Sequence, residues 1–233
     1  MIETIYLQNN FEQKYFYEHD NHPFAVHAIA ALALKISRLT EELSNVERIP
    51  RYSDGRREND VEHSYMLALV APEIAAFIRP DLNKEKIMSY ALCHDLIEIK
   101  TGDVPTFNLS PAELAQKELR EEAAKAELLN ELPSGIAVRF REYVEQLTDE
   151  AVFVRTIDKL LPVAVDIIGQ GQRVMREDYG ITSNEGLRAS HDALHERVVR
   201  KFGECFPELI GAHAVLCAMF VEHASKNFLK SNG

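Results

Sequence analysis

The sequence predicts an all-α protein, a single bundle of about eight helices over residues 1–233. Two observations carry that expectation. Apolar residues recur at spacings of three and four along most of the chain, as in helices with one buried face. Strand-like alternation is scarce: Val152-Phe-Val is too short and falls inside a helical pattern. A composition 46% hydrophobic and 27% charged is enough for a full apolar core and shows no sign of disorder.

The elements follow in order. Ala28 to Leu43 carries Ile29, Leu32, Ala33, Ile36, Leu39 and Leu43 on one apolar face. Val61 to Ile78 repeats the pattern through Met66, Leu69, Val70, Ile74 and Phe77. Asn83 can cap a helix to about Ile99, since a short polar side chain satisfies free amides there. Ser110-Pro-Ala-Glu reads as a capping box opening a helix to about Leu132. Thr148 or Asp149 starts another, through about Ile168, and Ser183–Phe202 and Pro207–Phe228 complete the set. The pattern fails over Arg48–Asn59 and Thr101–Asn108, two polar loops beside histidine-bearing helices, where binding groups concentrate. A third break, Gly169–Ser183, holds three glycines but follows no strand, so it is not read as a dinucleotide fingerprint.

Composition excludes some classes of function. A net charge of −11 argues against a nucleic-acid backbone as partner, because phosphate-backbone binding rests on Lys and Arg. No stretch approaches about 18 uninterrupted apolar residues, so no membrane span is expected. Cys93, Cys205 and Cys217 form no CxxC knuckle and cannot all pair. Met1–Phe16 lacks a secretory pattern, and a cytoplasmic setting is expected.

The chemistry gathers in three helices. His94-Asp95 ends an apolar helix, His63 lies in Val61-Glu-His-Ser, and Asp158 is flanked by Val154, Ile157, Leu160 and Leu161. A buried carboxylate without a partner is costly, and a cation would account for it. Taken singly, each residue reads blandly: His63 as a surface or capping histidine, Asp158 as a partner of Lys159 or Arg155. Together, two imidazoles and two carboxylates in helical contexts suit a divalent ion: Co, Mn, Fe, Ni, Zn or Mg. Open positions on such an ion hold a water of lowered pKa and a phosphate oxygen.

Glu62-His63-Ser64, His94-Asp95, Glu98, Thr101-Gly102-Asp103 and Asp158 resemble the H…HD…D signature of the HD phosphohydrolase superfamily. The strings Glu58–Ser64 and His94–Thr106, with Arg48 about fifteen residues before His63, are most similar to the bacterial HD-domain 5′-deoxynucleotidases. The likeness spans about residues 28–161, leaving a C-terminal helical extension of about 169–233 without a match. It implies a metal held by His63, His94, Asp95 and Asp158. It makes Glu98 the residue that positions or deprotonates the attacking water, and Arg48 the residue that orients the phosphate. Asp103 then lies against the substrate, at the sugar. Ile49 stands where the family usually has an aromatic residue, so it offers the base surface contact without hydrogen-bond readout.

The implied reaction is hydrolysis of (deoxy)nucleoside 5′-monophosphates, so the expected partner is a small nucleotide; a homodimer is compatible with it. Rival readings keep the site and change the substrate to a nucleoside triphosphate, a cyclic nucleotide or (p)ppGpp, or make the chain a nucleotide-binding regulatory module. Arg56 and Arg57 are the cations a triphosphate would call on. Histidines 191, 195, 213 and 223 in the extension are read as core or surface residues rather than a second metal site.

Overall fold

The computed structural model describes residues 23–103, 111–203 and 205–228. They divide into two compact units, residues 1–41 and 42–233. The elements in chain order are α1 (Pro23–Ser44), β1 (Glu47–Arg51), β2 (Arg57–Asn59), α2 (Asp60–Ile78), α3 (Lys84–Cys93) and α4 (Glu98–Thr101). They continue with α5 (Pro111–Glu131), α6 (Ser134–Val144), α7 (Asp149–Asp158), α8 (Leu161–Ile168), α9 (Gly171–Glu177), α10 (Asn184–Phe202) and α11 (Pro207–Phe228). The all-α expectation holds. In the first unit the stripe expected to be buried on α1 is open: Ile29, Leu32 and Ile36 are exposed, and none of that unit's described residues covers them.

Several expected caps are in place. Asn83 accepts hydrogen bonds from the Glu85 and Lys86 amides, Thr148 from Ala151 and Ser183 from Gly186. Asn59 and Glu62 form a reciprocal capping box on α2, which makes Glu62 a helix-start residue. The Ser110 box lies outside the described residues. By length and composition α2 could cross a bilayer, yet it opens on Asp60, Glu62 and His63 and buries Leu67, Ala68, Ala71 and Ala75 in the core.

The structure corrects three boundaries. The segment expected as a polar loop is an antiparallel hairpin, β1 on β2, pairing Glu47 with Asn59 and Arg51 with Arg57. Two of its three buried positions are charged: Arg48 and Glu58, with Pro50, stand where apolar residues would have signalled a strand. The helix expected to run from Asn83 to Ile99 stops at Cys93, and the chain tightens into i→i+3 turns (Leu96 N to Cys93 O, Glu98 N to Asp95 O) before α4. The helix expected through Ile168 breaks after Asp158. Pro162 has no amide to continue the ladder, and Lys159 and Leu160 bond back three residues instead.

Two apolar cores result. One joins α2, α3 and α7 through residues such as Leu67, Ile87, Tyr90, Phe153 and Ile157. The other is built by the C-terminal helices around Val163, Val174, Leu187, Phe220 and Val221, with Ile49 of β1 packed against it. Two of the three glycines of the third break serve this docking. A Cβ on Gly169 would stand 2.0 Å from the Arg51 carbonyl, and one on Gly171 2.4 Å from Asp166 Cβ. Such close approach needs glycine, and it lets Gln170 N donate to Arg51 O at 3.0 Å.

Candidate active site

The broken helix ends position the site. α2 begins with a buried His63, α3 yields His94 at its last turn, and α7 ends on Asp158 just before the proline break. His63 Nε2 lies 2.9 Å from Asp158 Oδ1, His94 Nε2 3.7 Å from the same oxygen, and the two rings are 5.3 Å apart. The three residues are buried, and each aims one ligand-type atom at a common point, all within 4.8 Å of one another. Asp95 flanks this trio, its Oδ2 2.8 Å from His94 Nε2.

The donor set fits a divalent ion. His94 Nδ1 lies 2.8 Å from the Ala91 carbonyl, which can only accept, so Nδ1 carries a proton and Nε2 is the atom turned on the cluster. That Nε2 is buried and makes no aligned hydrogen bond despite the nearby carboxylates. On its far side, His63 turns Nδ1 toward the buried Glu58, 3.6 Å away. A carboxylate behind a ligand imidazole fixes its tautomer and orientation.

Arg48 is the counter-charge. Its Nε is 3.2 Å from Glu58, and its Nη1 is 3.0 Å from both Asp60 and Asp95. None of these pairs uses Nη2, and the residue lines a cavity. Burial disfavours its charge, but Asp95, Asp103 and Asp158 outweigh that and raise its pKa further. Asp60, Asp95 and Glu98 form a second acidic group, into which Arg48 already inserts its positive charge.

Charge and burial set the protonation. Burial, then the charges of Asp95, Asp60 and Asp103, pushes the Glu98 carboxyl up to about 11. Burial likewise raises Asp60 to about 6, helped by Asp95. His94 moves the other way from what burial dictates: Asp95 and Asp158 carry it up to about 10. Against burial, His94 and Arg48 hold Asp95 well below the usual carboxylate range.

Six of the eight residues singled out in the sequence line the one cavity: Arg48, Ile49, Asp95, Glu98, Asp103 and Asp158. His63 and His94 form its buried backing. Gly102 takes φ 69°, ψ 160°, a conformation open essentially to glycine alone, and so turns Asp103 toward the cavity. Arg56 and Arg57 do not line it. Arg56 is bonded to Glu62, and Arg57 is tied to Asp178. Sequence reasoning gave no site role to Glu58, Asp60 or Asp166, and read Lys159 only as an ion-pair partner of Asp158, a contact the structure contains. Asp166 alone carried a readable signal, an acid set among the apolar residues of Val163–Ile168. In the extension His213 is buried and stacks on His195, a packed residue as expected, whereas the buried His191 stacks on Phe220 and also lines the cavity.

Residues 40–198 match the HD domain family, and the chain belongs to it. The chain is 37% identical over 123 residues to the 5′-deoxynucleotidase PM0747 of Pasteurella multocida, covering 48% of this chain and 62% of that protein. It is 32% identical over 146 residues to the human 5′-deoxynucleotidase HDDC2, covering 58% and 67%. It therefore spans under two thirds of the first relative's length and about two thirds of the second's. A crystal structure of a predicted metal-dependent phosphohydrolase from Magnetospirillum magnetotacticum MS-1 superposes with a TM-score of 0.65 at 25% identity, covering 84% of this chain and 94% of that one.

Proposed function

We propose that this chain is a metal-dependent phosphomonoesterase that hydrolyses deoxynucleoside 5′-monophosphates to nucleoside and phosphate. The observation that carries the reading is the convergence of His63, His94 and Asp158 on one point behind a cavity walled by Arg48 and Glu98. The names of the curated relatives support it.

In this reading His63, His94, Asp95 and Asp158 hold the ion. A divalent ion bound there supplies Lewis acidity and a water of lowered pKa. Arg48 keeps its Nη1 on Asp60 and Asp95 and presents Nη2 to a phosphate oxygen, held in place by its own ion pairs. Lys159, bonded to Asp158 on the cavity wall, offsets further phosphate charge. Glu98 takes the proton of the attacking water. It is well placed for that step but keeps its own proton while the surrounding acids are uncompensated; added positive charge in the cluster lowers its pKa. Asp103 crowds the sugar, so 2′-deoxy substrates are preferred, and Ile49 gives the base an apolar surface.

Phosphate release from a panel of deoxy- and ribonucleoside mono-, di- and triphosphates, run with Co, Mn, Fe, Ni, Zn and Mg, tests this reading. The expected result is metal-dependent turnover of monophosphates with dAMP above AMP. Turnover of triphosphates alone, or none with any metal, rejects it. The positions of Arg56 and Arg57 away from the cavity weigh against a triphosphate.

A further inference from the structure

The cavity is larger than the metal cluster requires, and its other half is contributed by the C-terminal helices. Val163 of α8, Val174 and Met175 of α9, Tyr179 and Leu194 line it. Their walls are apolar, an environment suited to a planar base rather than to phosphate. Three polar groups stand among them: the Tyr179 hydroxyl, His191 and Asp166. Asp166, on α8 between Val165 and Ile167, is 8% exposed and lines the same cavity. Its Oδ1 is buried and has no hydrogen-bond partner among the described residues. Gly171 presses the start of α9 against Asp166, where a Cβ would meet the aspartate Cβ at 2.4 Å, so its backbone is fixed from behind.

We propose that Asp166 reads the nucleobase of the substrate, hydrogen-bonding its polar edge from within the apolar half of the cavity built by the C-terminal helices. The idea rests on the nucleotidase reading above and adds to it a base contact the metal-bearing helices do not provide. A buried acid left unpaired destabilises a fold, so its presence beside a cavity is explained by a ligand that completes it. The protonation state fits the task. Burial, together with Glu58 and Asp178, raises the carboxyl to about 8, so near neutrality it is mostly a neutral acid. A neutral carboxyl places a donor beside an acceptor. That pair matches the adjacent acceptor and amino donor on the pairing edges of adenine and cytosine. Ile49, Val174 and Met175 would then supply apolar contact to the base.

The test compares kcat/KM for dAMP and for 2-deoxyribose 5-phosphate, which lacks the base, in wild type, Asp166→Leu and Asp166→Asn. The wild-type ratio should fall about tenfold in Asp166→Leu, through KM, as expected for a lost buried hydrogen bond. Asn keeps a donor and an acceptor and should stay within about threefold of wild type. Binding of deoxyadenosine by equilibrium dialysis, which needs no turnover, should weaken in parallel. Thermal melts are the fold control: removing an unpaired buried carboxyl should raise Tm in Asp166→Leu. An unchanged ratio and unchanged deoxyadenosine binding in a folded Asp166→Leu protein overturn the proposal. A lowered Tm overturns it too, by making Asp166 a structural residue. A wild-type enzyme that turns over no nucleotide but binds deoxyadenosine through Asp166 removes the phosphatase reading and leaves the base contact standing.

Discussion

His63 Nε2 and Asp158 Oδ1 stand 2.9 Å apart although 95 residues separate them in the chain. The contact joins the first turn of α2 to the last residue of α7, so folding of the first core assembles the cluster. Asp158→Ala removes the one oxygen that faces both imidazoles. Metal content measured on the purified protein should fall from about one ion per chain to background. Full stoichiometry in that variant would remove Asp158 from the ligand set.

Arg48 supports both the fold and the proposed chemistry. Its guanidinium contacts three buried or half-buried carboxylates, on Glu58, Asp60 and Asp95. Breaking a buried ion network by deleting one partner costs about 3–5 kcal/mol. Arg48→Ala should therefore lower urea stability by that order and abolish turnover. Arg48→Lys should recover part of the stability but little activity, since an ammonium cannot contact Glu58, Asp60 and a phosphate together. An Arg48→Ala protein as stable as wild type would mean that the surrounding acids are already neutral.

Glu98→Gln separates chemistry from structure. Because Glu98 holds its proton in the bare cluster, the amide is close to an isostere of the group already there. Stability should change by no more than about 0.5 kcal/mol, and metal content should be kept. Turnover should drop about 100-fold or more, the usual loss for a general base. Wild-type kcat at full metal content would make Glu98 a spectator.

The cluster was legible because histidine and aspartate at helix ends, in that spacing, have few structural uses. Most helices were legible from their period, but α6 was not singled out, and α9 lies in the glycine-bearing segment read as a break. The hairpin was hidden because its inward positions are Arg48, Pro50 and Glu58, and charge or proline at a buried strand position reads as loop. Asp60 was hidden for a related reason. An acid in the first turn of a helix reads as a response to the helix dipole, and only the fold shows it to be completely buried against Arg48. The cavity's second half could not be read at all, since it exists only where α8, α9 and α10 meet the hairpin.

Gly169 should be irreplaceable where another helix-associated glycine is not. An added Cβ would meet the Arg51 carbonyl at 2.0 Å and that of Val165 at 2.9 Å, both backbone atoms that cannot swing aside. Gly169→Ala should cost about 1–3 kcal/mol, the range for overpacking. It should also lower activity by prising β1, with Arg48 and Ile49, from α8. Gly211 lies exposed within α11 with nothing in reach of a Cβ, and Gly211→Ala should stabilise by about 0.5–1 kcal/mol. Equal effects of the two substitutions would contradict the close approach at Gly169.

Stability should fall in mild acid because of His213. The ring is fully buried, with His195 Nδ1 at 3.1 Å and Cys217 Sγ at 3.6 Å from its Nδ1. Burial, then the neighbouring His195 and His191, depresses it to about 4, whereas in the unfolded chain it titrates near 6.5. Between those values the unfolded state binds the extra proton, so stability rises with pH. The contribution is complete above about pH 6.5 and is lost as pH drops toward 4. Its size is about 2 kcal/mol, less than the whole shift would give, because water reaches the half-buried His195 beside it. Melting curves from pH 7.5 to 4.5 for wild type and His213→Leu decide the point. The metal cluster titrates in both proteins, so the difference between the two curves isolates this ring. The variant's Tm should decline less steeply with acid; parallel curves would show that His213 keeps the same pKa folded and unfolded.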